Sequence, residues 1–291
     1  MKETFWLRLF RGARRLCQRA DWLHFAGPNW ADRIMGLAIK DRFHAKQGRS
    51  IARWVLQHDN RYLTVYLKRH YRLPRWRGLL ATLWPDAGWS PAVQEWRHLE
   101  WAKNRGMPVP AAVAAGEYIG PWGRLQSFLA VEELADMLPL HEAVPAAASR
   151  LDPNTFCSWK RTLSAEMARL TRALHARRYF HKDLYLCHFY IPRQCTEEVP
   201  SSWQGQVHLI DLHRLKHHRF SWRFWQLKDL AQLLYSSDIP EITLGDRLRF
   251  WRGYLGAQGH GWPARLLRSC VLLKWRRYQR HNSRNSGGGN F

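Results

Sequence analysis

The chain has 291 residues, of which 46 are lysine or arginine and 23 aspartate or glutamate, giving a formal net charge of +23. With 46% hydrophobic residues, 17 of all residues being tryptophan, it can bury a sizeable core and is not a disordered chain. No run nears the roughly 18 apolar residues that span a bilayer, residues 1–20 lack the apolar stretch of a secretory signal, and five scattered cysteines form no disulfide framework. A folded, strongly basic chain of the cytosol is expected. Its charge asks for an anionic partner: nucleic acid, anionic lipid or a phosphorylated substrate.

Trp6, Leu9, Ala13, Leu16, Ala20 and Leu23 recur at three- and four-residue steps, with Arg8, Arg11, Arg14, Arg15 and Arg19 on the remaining surface. This spacing predicts an amphipathic helix over 5–23, suited to a membrane interface or to packing on its own domain. Residues 1–40 are therefore expected to be a basic amphipathic N-terminal extension. The stretches 49–56 and 62–68, flanking His58-Asp59-Asn60, predict a hairpin. Residues 71–91 show no clear period and are expected as an inserted loop. Helical spacing over 92–105 is closed by Gly106, Pro108 and Pro110, and short strands are expected at 113–119 and 125–131. Beyond Glu132-Glu133 the pattern turns helical at 155–178, 224–236 and 246–256, with a loop at 195–206. The basic run 274–280 reads as a surface helix end, lipid binding being its sharper alternative. Residues 282–291 are expected as a disordered tail.

The segment HKDLYLCHFYI at 181–191 follows the long predicted helix, and VHLIDLH at 207–213 lies downstream. A His-basic-Asp loop followed by an apolar strand ending in a carboxylate is the pattern of a kinase catalytic loop and its metal-binding aspartate. Phosphoryl transfer needs one carboxylate to orient the attacking hydroxyl, the place of Asp183, and another to hold Mg²⁺ against the phosphates, the place of Asp211. His188 stands where asparagine is usual, and an imidazole can also ligate metal or hydrogen-bond. Upstream, Lys68 ends an alternating strand, the place of a phosphate-gripping lysine, and Gly48 lies at the hairpin start. Glu95 on the 92–105 helix is the expected partner of Lys68, with Glu100 as competitor. Asp229 is expected to brace the catalytic loop from beneath. His213, His217 and His218 lack zinc spacing and read as a solvated loop.

These residues resemble the lipopolysaccharide core heptose kinases and their relatives, including the Kdo kinases. The resemblance rests on HKDLYLCHFYI, close to that family's His-Arg-Asp-x-Tyr-x-Cys-His-Phe text. It extends to HLIDLHR at 208–214, YLKRH at 66–70, EWRHLEWAKNRGMPVP at 95–110 and SFLAVEEL at 127–134, and spans roughly residues 30–255. It implies an α+β, bilobal protein-kinase-like fold: a β-rich N-lobe over 41–134 with one main helix, and a helical C-lobe over 135–281. It further implies ATP held near Val131 to Leu134, with Gly48 in the phosphate-covering loop, Lys68 on the phosphates and Glu95 as its ion-pair partner. Glu132 would begin the hinge and Leu134 would contact the nucleotide. Asp183 would act as catalytic aspartate, and Asp211, with His188, at Mg²⁺. Two departures stand out: Lys182 replaces the commoner arginine, and 71–90 lacks glycine-rich text.

The implied activity is ATP- and Mg²⁺-dependent phosphorylation of a sugar hydroxyl, heptose foremost, on the lipopolysaccharide core or a lipid A–core precursor. Such an acceptor would place the enzyme peripherally on the anionic inner face of the cytoplasmic membrane. Another acceptor (Kdo, a small molecule or a protein) and a non-catalytic membrane- or glycan-binding scaffold are the alternatives. Retention of Lys68, Asp183 and Asp211 argues against the scaffold. Nucleic acid is disfavoured, since no helix-turn-helix, zinc-finger or RNA-recognition signature accompanies the charge. A carrier-protein partner has no support in the sequence.

Overall fold

In the strand RYLTVYLKRH the side chains alternate between two faces. Leu63, Val65, Leu67 and Arg69 point into a core, while Lys68 lies on the opposite, half-buried face. This strand is central to an antiparallel sheet in a computed structural model that describes residues 5–38, 42–44, 48–256 and 261–286. The chain divides into two units, Met1–Ala135 and Asp136–Phe291.

The first unit runs α1 (Phe5–Arg11), β1 (Ala13–Gln18), α2 (Trp22–Ala26), α3 (Trp30–Arg33), β2 (Arg42–His44), β3 (Arg49–His58), β4 (Arg61–His70), α4 (Arg75–Leu83), α5 (Pro91–Lys103), β5 (Ala112–Ile119) and β6 (Leu125–Glu132). Its six strands are ordered β1-β5-β6-β4-β3-β2. The β3–β4 hairpin follows the expected alternation, with Ile51 opposite Lys68 and His58 opposite Arg61. One sheet face carries a core of Leu56, Leu63, Val65, Leu67 and Phe128, closed by Trp22, Trp30 and Ile34. Arg69 is buried among them, its guanidinium donating to the carbonyls of Leu37 at 2.8 Å and Ile34 at 3.2 Å. Such a charge is tolerated inside only because its donors are met. Helix α5 begins with Ser90 as cap, its Oγ accepting from the Val93 amide, and Pro91 at the first position.

Three expectations are corrected here. The predicted helix over 5–23 stops at Arg11, because Gly12 turns to φ +79° and the next six residues pair with β5, Ala13 opposite Ile119 and Gln18 opposite Ala114. A β-carbon at Gly12 would lie 2.5 Å from the Ile119 carbonyl oxygen. Leu16 and Leu23, assigned to the apolar helix face, are exposed instead; pairing with a neighbouring strand overrides local periodicity. Residues 13–37 are thus built into the sheet and its core rather than forming an extension. The expected loop at 71–91 contains α4, whose period is hidden by Gly78. That glycine lets the Gly123 backbone approach so closely that a β-carbon would sit 2.0 Å from its carbonyl oxygen.

The second unit contains β7 (Met137–Pro139), α6 (Leu140–Arg150), α7 (Pro153–Ala176), β8 (Tyr179–Phe180), β9 (Phe189–Pro192), β10 (His208–Leu209), β11 (Lys216–His217), α8 (Trp222–Ser236), α9 (Leu244–Leu255) and α10 (Trp262–Ser286). Helix α7 is capped by the Asp152 carboxylate, which accepts from the Asn154 and Thr155 amides, and α9 by a Thr243–Asp246 capping box. Leu230, Ala231, Tyr254 and Val271 form the core between α8, α9 and α10. The short ladders β10-β9-β7 and β11-β8 frame the 181–188 loop. Helix α10 is far longer than the 274–280 helix end and continues through Ser286, into the stretch expected to be disordered; 287–291 lie outside the described residues, as do 1–4 and 39–41.

Candidate active site

In the first unit Lys68 Nζ donates to Glu95 Oε1 at 2.7 Å, with Glu95 buried and Lys68 largely so. Strand β4 delivers the lysine and α5 the carboxylate. Glu100, five residues on, lies about 140° around the helix from Glu95. Gly48 is described with φ +56°, and its carbonyl accepts from the Tyr71 amide at 2.9 Å; residues 45–47 beside it lie outside the described residues. At the end of β6, the Glu132 carboxylate accepts from Arg19 at 2.5 Å, while Glu133 takes a two-pronged bond from Arg53 at 2.7 Å on each oxygen. The Arg53 guanidinium, more than burial, decides the direction for Glu133 and holds its carboxyl below the usual range. Leu134 follows, partly buried.

In the second unit the HKD loop is held from below. The buried Asp229 carboxylate accepts from the His181 amide at 2.8 Å and the Lys182 amide at 2.8 Å. Its Oδ2 also faces His175 Nε2 at 3.3 Å. Lys182 has φ +72°, a strained conformation for a residue with a side chain. Two amides locked on one carboxylate enforce it, immediately before Asp183 in the chain. The expected brace is therefore present. Lys228 Nζ donates to the Lys182 carbonyl at 3.0 Å, and Lys182 Nζ lies 4.2 Å over the Trp225 ring. Burial, together with Arg214, Lys216 and Lys228, pushes the Lys182 ammonium below its ordinary range.

His181 is fully buried, and its Nε2 lies 2.9 Å from the Ile210 carbonyl. Burial pushes its imidazole down, so the neutral form with Nε2–H donating is favoured. The Ile210 amide in turn donates to the His188 carbonyl at 3.0 Å. These bonds tie the 181–188 loop to the strand end that presents Asp211. Asp211 is left-handed, φ +61°, and its Oδ1 accepts from His213 Nδ1 at 2.8 Å. His213 thus touches a site residue rather than standing in a solvated loop. His188 Nδ1 lies 2.6 Å from the Asp183 carbonyl, and its Nε2 is 4.0 Å from Asp211 Oδ2. Burial alone would lower the His188 imidazole, but Cys187, the Asp183 carbonyl and the Asp211 charge together raise it.

Among the contacts that sequence reasoning missed, Arg214 Nη1 donates to both oxygens of Asp183, at 3.0 and 2.7 Å. The signal was its place three residues after Asp211 in LIDLHR, a short turn that returns a basic side chain to the loop. Among the described residues no cluster of three or more His, Cys, Asp or Glu side chains has metal-ligand geometry. Mg²⁺ takes one or two carboxylates plus phosphate oxygens and waters, a donor set that Asp211 fits. His188 lies within reach of an ion there, as the softer ligand.

Comparison with known proteins gives the family and the fold. Residues 40–254 match the model of the lipopolysaccharide kinase (Kdo/WaaP) family. A Pseudomonas aeruginosa lipopolysaccharide core heptose(I) kinase WaaP is 32% identical over 178 residues, 61% of this chain and 63% of that protein. An Escherichia coli protein of the same name is 30% identical over 184 residues, 62% of this chain and 65% of its own length. The match thus spans less than two thirds of these curated relatives. A solved structure of WaaP in complex with acyl carrier protein aligns with a TM-score of 0.66 at 26% identity, over 91% of this chain and 98% of that one, and supports a protein-kinase-like fold.

Proposed function

The chain belongs to the lipopolysaccharide kinase (Kdo/WaaP) family, and from that premise we propose that it transfers the γ-phosphoryl group of ATP to a hydroxyl of the lipopolysaccharide inner core. Heptose is the favoured acceptor because the curated relatives are named heptose(I) kinases. The observation that carries this reading is the joint bracing of two carboxylates: Asp183 on a loop pinned by Asp229, and Asp211 on a strand end tied to that loop through His181 and His188. Phosphoryl transfer asks the protein mainly for positioning and charge.

In this reading Asp183 orients the sugar hydroxyl and takes its proton, and Lys68, aligned by Glu95, neutralises phosphate charge. Asp211, with His188 beside it, holds Mg²⁺, which when bound supplies charge stabilisation for the phosphates. Gly48, Glu132 and Leu134 would contact the nucleotide. Among the described residues no helix is long and apolar enough to cross a membrane, which fits peripheral work at the inner membrane face on an anchored acceptor. The solved WaaP is titled as a complex with acyl carrier protein, and we extend a carrier-protein partner to this chain on that ground. The test is mass spectrometry of core glycan from cells with and without the gene. Loss of one phosphate from a heptose supports the reading; an unchanged core glycan overturns it.

A further inference from the structure

Helix α4 shows apolar side chains on both faces. Its inner face, Gly78, Ala81 and Thr82, is buried, yet Trp76, Leu79 and Leu83, at helical spacing, are about half exposed. Packed beside it, α1 is anchored by the buried Leu9 and by Arg8 Nε donating to the Thr82 carbonyl at 2.9 Å. It turns Trp6 and Phe10 outward, 64% and 54% exposed. The turn between β5 and β6 completes the surface with Trp122, 61% exposed, whose ring meets Phe10 edge-on at 5.1 Å.

Trp122 adopts φ +57°. A bulky side chain in that region is an outlier, and such strain persists where the surroundings enforce it and clusters at functional positions. Here it holds the largest apolar side chain out to solvent, where burial would ordinarily place it. The charge of the same segments is one-signed. Residues 5–11, 72–84 and 121–124 contain six arginines and no carboxylate, the first acid beyond being Asp86. An exposed apolar patch of this kind marks an interaction site, and aromatic rings on segments rich in arginine, with Arg77 5.3 Å over the Trp76 ring, match an interface of acyl chains below anionic headgroups.

We propose that the surface formed by α1, α4 and the 121–124 turn docks onto an anionic phospholipid bilayer. Trp6, Phe10 and Trp122 enter the acyl boundary, and Arg11 and Arg75 meet the lipid phosphates. The inference rests on the kinase reading only for its purpose, bringing the enzyme to a membrane-anchored acceptor. The full chain is sedimented with vesicles of phosphatidylglycerol and phosphatidylcholine, or of phosphatidylcholine alone. Wild type should bind the first and not the second. The double variant Arg11→Ser/Arg75→Ser should bind roughly 30-fold more weakly, at about 1 kcal/mol per arginine near a charged surface. Trp122→Gly should also lose binding while relieving the strained backbone, so unfolding cannot account for its loss.

Wild-type indifference to lipid charge, or unchanged binding by both variants, overturns the proposal. So does a dimer that Trp122→Gly dissolves, or preferential capture of single-stranded nucleic acid or an acidic protein on this surface. Phosphoryl transfer to a soluble core sugar without vesicles is read separately. Its failure beside intact vesicle binding removes the kinase reading and leaves the docking surface standing.

Discussion

Arg214 holds Asp183: one guanidinium nitrogen reaches both carboxylate oxygens, at 2.7 and 3.0 Å. The pair is partly exposed, so its value for stability is small, and its consequence is for orientation. In the proposed reaction an acceptor hydroxyl approaching Asp183 would meet a carboxylate whose plane is already set. Replacing Arg214 by alanine should lower kcat for phosphoryl transfer by roughly 10- to 100-fold, as misplacement of a reacting group does, with KM for ATP unchanged. Steady-state kinetics with ATP and acceptor varied separately checks this, and Arg214→Lys should recover part of the loss.

Asp229 carries a structural load that its position outside the His181-Lys182-Asp183 tripeptide conceals. Its replacement by alanine leaves the His181 and Lys182 amides without their acceptor and releases a left-handed residue. At about 1–3 kcal/mol for a buried group left unsatisfied, the second unit should lose roughly 3 kcal/mol, a fall of about 6–12 °C in Tm. Calorimetry checks the stability, and activity should fall further than the fraction unfolded at the assay temperature, because the loop that aims Asp183 is loosened in the folded molecules too.

The Lys68–Glu95 pair separates two glutamates on one helix. Lys68→Met should reduce kcat/KM by roughly 100-fold or more, as loss of one aimed charge does. Glu95→Gln should reduce it by less, because the amide still accepts a hydrogen bond, and Glu100→Gln should leave it near wild type. Kinetics on the three variants, with circular dichroism to confirm folding, decides the assignment.

His181 sets a pH dependence of stability. Its folded pKa lies below the ordinary value of 6.5 because burial disfavours the cation. In the window between the two values the unfolded chain therefore binds more protons, and stability rises with pH. The contribution is complete above about pH 6.5 and declines as pH falls below it toward the folded value. Denaturant midpoints measured from pH 7.5 down to 5 should fall in wild type. His181→Phe, though weaker at neutral pH for want of the Ile210 bond, should show a smaller decline.

The elements that carry the candidate site residues are legible in the sequence because they are local. Alternation over 62–68 delivered the strand bearing Lys68, and 3.6-residue spacing over 92–105 delivered the helix bearing Glu95. HKD and LID marked the two carboxylates, while the choice between Glu95 and Glu100 waited on the bond from Lys68 Nζ to Glu95 Oε1 at 2.7 Å. What stayed hidden depends on partners distant in sequence. Residues 13–18 carry a helical period, yet they form a strand because β5 offers its edge. Helix α4 is masked by Gly78, whose reason is the approach of Gly123. The Arg214 contact depends on a turn after Asp211, and the aromatic surface joins three segments, none of which is telling alone.

Phosphoryl transfer to a core sugar through Asp183 and Asp211 is tested most directly by incubating the purified chain with γ-labelled ATP, Mg²⁺ and heptose-containing core oligosaccharide stripped of phosphate, beside Asp183→Ala and Asp211→Ala. Label should pass to the heptose with wild type, and both variants should fall by at least about 100-fold. Absence of label with wild type, or full transfer by Asp183→Ala, would contradict it.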